Sequence, residues 1–322
     1  MAELRYNPFL DDYVIVASHR QNRPQMPQDY CPFCPGSGRV PETYTVLAYD
    51  NDFPALSLTP PPEPPVGNAF FQTRPAYGKC EVILYTSEHQ GSLSSLSGIQ
   101  AGELVELWVE RFLALSADPK LKYILIFENR GEAVGVTIPH PHGQIYGYSY
   151  LPKKIALECA SIERYNREKG RCLYCELLEN ELVDGRRVLF RNRFFTVFVP
   201  FFAAYPYEVF VLPTAHRRTI AELTPEERSA LAETLCQVCG MYDHLFGFSF
   251  PYMMCVESAP VNTGAEYDYH FHVEFFPPMR SADKFKMNAS SETGVLAHCN
   301  PTAPEEKAEE LRAAYQRYIE SI

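Results

Sequence analysis

His140, His142 and Gln144 fall at spacing two within Pro139-His140-Pro141-His142-Gly143-Gln144, shortly after Asn129-Arg130-Gly131. In an extended strand, side chains at i, i+2 and i+4 project to one face. The three residues would then line one surface, and Pro141 suits an edge strand or a strand end. Imidazole can serve there as metal ligand, proton carrier or nucleophile. Glutamine can donate a hydrogen bond to oxygens on which charge develops. A lone His-x-His is most often a surface pair or a hydrogen-bonded structural pair. The rest of the chain gives this one weight.

Ten cysteines include three pairs at CxxC spacing: Cys31/Cys34, Cys172/Cys175 and Cys236/Cys239. Cys31-Pro-Phe-Cys34-Pro-Gly36 has the form of a zinc knuckle, in which two thiolates grip one tetrahedral ion. Two further ligands are needed, and His89 and His140 are supplied in the same half of the chain. The alternative is a pair of free cysteines in a turn. Cys236 and Cys239 sit in a helical pattern with no histidine at matching spacing, and read as small core residues.

A repeat underlies these motifs. Glu81-Val-Ile-Leu-Tyr-Thr-Ser-Glu-His89 aligns without a gap against Glu208-Val-Phe-Val-Leu-Pro-Thr-Ala-His216. Both read as a buried strand running into a loop that ends in histidine. Ser97 and Thr224 then occupy N-cap positions, and Thr224-Pro225-Glu226-Glu227 combines a capping box with proline at the first helical position. Leu231, Leu235, Val238, Tyr242 and Leu245 follow at helical spacing, and a corresponding helix runs around Leu104–Leu115. Each unit has a CxxC before its strand and a His-x-His after its helix. Repeat equivalence therefore predicts a second Cys2His2 zinc site from Cys172, Cys175, His216 and His270.

With His140 assigned to the first zinc, His142 remains as an oriented imidazole facing the same pocket. Its neutral nitrogen is a competent nucleophile toward phosphorus, and Gln144 could stabilise the phosphoryl oxygens. The unit-two equivalents are His272 and Glu274. A carboxylate repels phosphate, so unit two is not expected to be a second active site.

Over 322 residues, 46% hydrophobic and 21% charged composition suits a packed globular chain. No apolar run reaches membrane-spanning length and no signal-peptide pattern opens the chain, so a cytoplasmic enzyme is expected. A net charge of −11 argues against broad nucleic-acid binding. It is compatible with a single nucleotide substrate met by a few local cations, for which His19, Arg20 and Arg23 are candidates. The proline-rich run Thr59–Pro65 reads as an extended surface excursion. A boundary near 152–170 divides the chain into units 1–155 and 156–322, and Pro304–Ile322 reads as an amphipathic helix.

Asn129-Arg130-Gly131, His140-Pro141-His142-Gly143-Gln144 and Cys31-Pro32-Phe33-Cys34-Pro35-Gly36 resemble the galactose-1-phosphate uridylyltransferases, two-unit members of the histidine-triad superfamily. The likeness runs from about His19 to about Glu292, including Phe250-Pro251-Tyr252 and Phe275-Phe276-Pro277-Pro278. It implies an α+β fold of tandem histidine-triad-like units, each an antiparallel half-barrel sheet with a packed helix. It also implies a homodimer exchanging UMP between UDP-glucose and galactose 1-phosphate through a uridylyl group on His142. By the same resemblance the first zinc ligands are Cys31, Cys34, His89 and His140, and Gln144 contacts the phosphoryl group. Asn129, Arg20 and Arg23 contact the nucleotide, and Lys286 and Glu292 contact the hexose across the dimer.

Two positions depart from the family pattern. Some members hold a second metal through one glutamate and three histidines, and the matching positions here are Glu158, Glu257, His272 and Glu274. The aromatic residue before the hexose-contacting glutamate is replaced by Ser291. The competing readings are a related nucleotidyltransferase such as an ADP-glucose phosphorylase, and a non-catalytic zinc-stabilised binding protein. Adenylyl-specific relatives tend to have serine where Gly143 stands, and neither His142 nor Gln144 is needed merely to hold zinc.

Overall fold

The computed structural model describes residues 2–22, 30–62 and 66–322. Part of the Thr59–Pro65 run, and Arg23, therefore lie outside the described residues.

Strands β1 (Ala2–Asn7), β2 (Asp12–Ala17) and β4 (Thr73–Pro75) form a small antiparallel sheet. The main sheet has nine strands. From unit one come β3 (Leu47–Asp50), β5 (Gly78–Leu84), β6 (Tyr123–Arg130) and β7 (His142–Tyr148). From unit two come β8 (Val188–Arg191), β9 (Phe195–Phe198), β10 (Val209–Pro213), β11 (Tyr252–Glu257) and β12 (His272–Phe276). Their order is β3-β5-β7-β6-β11-β12-β10-β9-β8, with every neighbouring pair antiparallel. The expected duplicated antiparallel architecture is present. Its two half-sheets are joined into one, because β6 pairs with β11.

The order around that junction is symmetric: β6, β7 and β5 on one side answer β11, β12 and β10 on the other. The aligned strand segments are thus topologically equivalent. Alternation along each strand divides the two faces of the sheet. Ile83, Ile124, Ile126 and Ile145 of unit one join Val209, Val211, Met254 and Val273 of unit two in one core beneath the long helices.

Those helices are α1 (Gly98–Ser116) and α4 (Pro225–Phe246), and both begin as the caps predict. Ser97 accepts from Gln100 N, and Thr224 accepts from Glu227 N, each at 3.2 Å. Leu104, Trp108 and Phe112 on α1 and Leu231, Leu235 and Tyr242 on α4 are fully or nearly fully buried. Their apolar faces explain why both helices lie on the same side. Cys239 is buried and Cys236 partly buried in this layer, as core residues rather than ligands. The C-terminal helix α5 (Pro304–Ile319) packs beside α4 through Ala308, Leu311 and Ala314.

On the opposite face the halves differ. Unit two is covered by α2 (Lys153–Lys169) and α3 (Leu173–Asp184), whose Ile155, Ile162 and Leu178 pack with Phe198, Phe210 and Leu212. In unit one, Phe33 and Val40 from the loop before β3 pack on Val82 and Leu84, beside a gap over β7. That asymmetry creates the cavity.

Candidate active site and metal centres

A cavity of about 560 Å³ opens over β7, lined by His142, Gln144 and Tyr146 from β7 with Phe127 and Asn129 from β6. Arg20, Phe33, Tyr49 and the Asn51-Asp52-Phe53 loop complete its walls. A smaller recess of about 300 Å³ lies against His142 and Asn129, bounded by Gly91, Gly131 and Pro141. His142 and Gln144 share a face as the spacing requires. His140, by contrast, precedes β7, which begins at His142.

His142 is oriented by the backbone: its Nδ1 lies 2.8 Å from the His140 carbonyl oxygen. A carbonyl can only accept, so Nδ1 carries the proton and Nε2 is the basic nitrogen. The Phe33 ring lies 5.7 Å away, centroid to centroid. Arg20 Nη1 lies 3.4 Å from Tyr146 Oη, which brings a cation to the cavity wall.

His140 faces the other way. Its Nε2 donates to the Thr86 carbonyl at 2.8 Å and lies 3.1 Å from Tyr44 Oη, leaving Nδ1 toward the cysteines. Nδ1 is 3.8 Å from Cys31 Sγ and 3.7 Å from Cys34 Sγ, and His89 Nδ1 is 3.3 Å from Cys34 Sγ. Burial pushes the His140 imidazole down to about 4, which keeps it in the neutral form a metal requires.

The second group repeats this arrangement. His270 Nδ1 is 4.0 Å from Cys172 Sγ and 3.5 Å from Cys175 Sγ, and His216 Nδ1 is 3.5 Å from Cys175 Sγ. His270 Nε2 donates to the Pro213 carbonyl at 3.1 Å, as His140 does to Thr86, the aligned position. His216 Nε2 sits 3.3 Å from Asp268 Oδ1, a carboxylate–histidine pair of the kind that orients metal ligands. In each group all four candidate ligand atoms lie within 4.8 Å of one another, so each can hold a metal ion.

Lys286 and Glu292 pair with each other, Nζ to Oε1 at 2.6 Å, and neither lines the cavity of its own chain. Sequence reasoning missed Phe33, Tyr49 and the Asn51-Asp52-Phe53 loop as cavity walls. The one available signal was their turn chemistry and aromatic content between the cysteine pair and β5.

Gly143 has a steric reason to be glycine. A Cβ there would lie 2.3 Å from Tyr85 Oη and 3.0 Å from the Phe127 carbonyl oxygen. Tyr85 is 1% exposed and its ring packs edge-on to Trp108, so it has little room to yield. Gly143→Ala is expected to cost about 1–3 kcal/mol by overpacking. The same shift should lower kcat/KM by roughly 10²-fold, because it displaces the strand between His142 and Gln144. Urea denaturation and steady-state kinetics measure the two effects.

Behind Asn129, Glu128 is buried and accepts from Tyr252 Oη at 3.1 Å. Burial pushes its carboxyl up to about 7 from 4.5. The folded chain then holds this proton at pH values where the unfolded chain has lost it. Stability from this group is therefore highest below pH 4.5, falls as pH rises toward 7 and is flat above. Glu128→Gln is expected to be close to neutral at pH 5 and stabilising by about 3 kcal/mol at pH 8. Urea midpoints at the two pH values test this; an equal effect at both would contradict it.

The chain matches the family model "Galactose-1-phosphate uridyl transferase, N-terminal domain" over residues 1–152 and its C-terminal counterpart over 158–314. It is 43% identical to the galactose-1-phosphate uridylyltransferase of Thermotoga maritima, covering 97% of this chain and 98% of that one. With the rat enzyme of the same name it shares 33% identity, over 96% and 86% of the two chains. A solved uridylyltransferase structure superposes with a TM-score of 0.90 at 32% identity, covering 98% of this chain and 99% of that one. An ADP-glucose phosphorylase from Arabidopsis thaliana shares the fold, with a TM-score of 0.74 at 21% identity over 97% and 98% of the chains. Two matching half-models and full-length identity, on a scaffold that brings His142, Gln144 and the first Cys2His2 group together, agree. The chain belongs to the galactose-1-phosphate uridylyltransferase family of nucleotidyltransferases.

Proposed function

We propose that the chain exchanges UMP between UDP-glucose and galactose 1-phosphate through a uridylyl group carried on His142. The observation that carries this reading is the fixed tautomer of His142, with Nδ1–H on the His140 carbonyl and the ring on the wall of the cavity. In the first step Nε2 attacks the α-phosphorus of UDP-glucose. The bond to the bridging oxygen breaks, and glucose 1-phosphate leaves with the bonding electrons. The ring becomes cationic as the nitrogen–phosphorus bond forms, and the Nδ1–H bond to the carbonyl strengthens accordingly. Gln144 donates to the phosphoryl oxygens, and Asn129, Arg20 and Arg23 hold the nucleotide. In the second step a phosphate oxygen of galactose 1-phosphate attacks phosphorus and His142 Nε2 leaves with the electron pair. Two displacements at one phosphorus give net retention.

Both Cys2His2 groups are assigned zinc. Zinc–sulfur bonds of about 2.3 Å and zinc–nitrogen bonds of about 2.0–2.1 Å place sulfur and nitrogen roughly 3.6 Å apart in a tetrahedron. The sulfur–nitrogen separations of 3.3–3.8 Å in the first group and 3.5–4.0 Å in the second fit that value. Zinc in the first site would fix the turn that presents the His140 carbonyl to His142. Lys286 and Glu292 reach the hexose of the partner chain in a homodimer, and the units divide as 1–155 and 156–322. The enzyme acts in the cytoplasm; among the described residues, no helix is long and apolar enough to cross a membrane.

Gly143 favours uridylyl over adenylyl transfer. Relatives that transfer adenylyl groups tend to carry serine there, and Tyr85 Oη leaves no room for a side chain. Intact mass after incubation with UDP-glucose or ADP-glucose tests the reading. A gain of one uridylyl group (UMP less water), lost on adding galactose 1-phosphate, is expected; retention of an adenylyl group alone would reassign the nucleotide.

A further inference from the structure

The counterpart of the catalytic pocket in unit two contains a cation of its own. Phe127 pairs with Gln144 as Cys255 pairs with Glu274, so the symmetry of the sheet relates Gln144 to Glu274. Two residues along each strand, Asn129 answers Glu257, and His142 answers His272. Two neutral amides in unit one are thus exchanged for two carboxylates. Glu158 on α2 adds a third.

Lys154, one turn earlier on α2, places its amine among them. Nζ lies 3.3 Å from Glu158 Oε1, 3.3 Å from Glu257 Oε1 and in contact with Glu274 Oε2. Other carboxylate oxygens are also engaged. Tyr269 Oη donates to Glu158 Oε2 at 2.9 Å, and Tyr123 Oη donates to Glu257 Oε2. His272 is fully buried, and its Nε2, 3.4 Å from Glu274 Oε1, has no hydrogen-bond partner. Burial works against the charge on Lys154, but Glu257, Glu274 and Glu158 more than reverse it.

Glu158, Glu257, His272 and Glu274 are the positions through which some family members hold a second metal. The residues here do not fit that group. Histidine survives at one position, an ammonium stands between the carboxylates, and the four are not among the sets of described residues whose ligand atoms converge within 4.8 Å. We propose that Lys154 is the resident cation of this cage. Its ammonium takes the place of the second metal, and removing it converts the cage into a divalent-cation site of carboxylate and imidazole ligands. Three carboxylates around one ammonium also leave this counterpart of the catalytic pocket net negative, which repels a phosphate.

Mn²⁺ is the suitable probe, because oxygen ligands favour it while the thiolate groups favour zinc. The zinc-loaded parent and its Lys154→Ala variant are equilibrated with Mn²⁺, desalted and analysed for both metals. One additional Mn²⁺ per chain is expected in Lys154→Ala relative to the parent, with zinc unchanged. Reading the difference between the chains keeps the test independent of how many ions the cysteine groups carry, and of the uridylyl mechanism. Lys154→Met retains the side-chain length without the charge. It should lose thermal stability that Mn²⁺ does not restore, whereas Mn²⁺ should raise the melting temperature of Lys154→Ala. Parent protein that itself retains Mn²⁺, and loses it on Glu274→Gln, would overturn the proposal. So would Lys154→Ala protein that takes up no more Mn²⁺ than the parent. If neither lysine variant folds, the parent measurement alone decides between these outcomes.

Discussion

Replacing His142 by alanine is expected to abolish uridylyl transfer, lowering kcat/KM by about four to six orders of magnitude, with metal content unchanged. The two effects separate because of how the histidines are oriented. His140 presents Nδ1 to Cys31 and Cys34, whereas His142 turns its Nδ1 onto the His140 carbonyl and lines the cavity. On the proposed mechanism, losing His142 removes the group that bonds to phosphorus and leaves the cysteine–histidine set intact. A nucleophile's removal costs far more than that of a group which only binds substrate, because the covalent route is lost with it. Imidazole suits the role since it attacks as a neutral base and leaves readily as a cationic adduct. His142→Gly opens the space of the missing ring, so added imidazole is expected to restore part of the phosphoryl chemistry. In the parent, double-reciprocal plots for the two substrates, UDP-glucose and galactose 1-phosphate, should be parallel. Intersecting lines, or substantial turnover by His142→Ala, would mean direct transfer between two bound substrates.

Motifs that depend on local spacing were legible in the chain. The aligned segments ending at His89 and His216 become β5 and β10 in mirrored places of the sheet, and Thr86 and Pro213 accept from equivalent histidines. The N-caps at Ser97 and Thr224 were legible too, the second more plainly, since its capping box is written in four consecutive residues; the structure adds a capping box at Ser97. What the repeat did not contain was the pairing of β6 with β11. Strand periodicity identifies a buried face but not the neighbour at the edge, so two half-sheets and one continuous sheet read alike.

The cavity shows the same division. His142 and Gln144 share a face because strands alternate, and that could be read directly. Phe33, Tyr49, Asn51 and Asp52 come largely from irregular segments, where no period marks which side chains converge. Lys154 is the clearest omission. It stands in a polar helical stretch where a lysine is ordinarily a solvated residue, and about half its side-chain surface, 49%, is indeed exposed. Only the approach of α2 to β11 and β12 shows that its amine ends among three carboxylates.

Cys34→Ser should be the most damaging change to stability, removing one metal equivalent and much of the folding free energy of unit one. Cys34 Sγ approaches both His89 Nδ1 and His140 Nδ1, whereas Cys31 Sγ approaches His140 Nδ1, so losing Cys34 removes two of these three approaches. Structural zinc contributes about 10–16 kcal/mol in small zinc-finger peptides, and in a larger sheet-supported unit part of the fold survives without it. A loss of several kcal/mol is therefore expected in urea denaturation. Activity should fall as well, by a route distinct from that of His142→Ala. The loop before β3 carries Phe33, which packs on Val82 and Leu84 and forms a wall of the cavity. His140, released from the metal, would no longer hold its carbonyl against His142 Nδ1, and the tautomer that makes Nε2 basic would lose its support. The matched control is Cys175→Ser, which removes the other metal group. That group packs against α3 and the covered face of unit two, and its residues do not line the cavity. It should lower stability and metal content while leaving kcat/KM of the surviving folded protein within about tenfold of the parent. A Cys34→Ser chain that keeps its full metal content, or loses metal with activity and stability intact, would remove the first site from both roles.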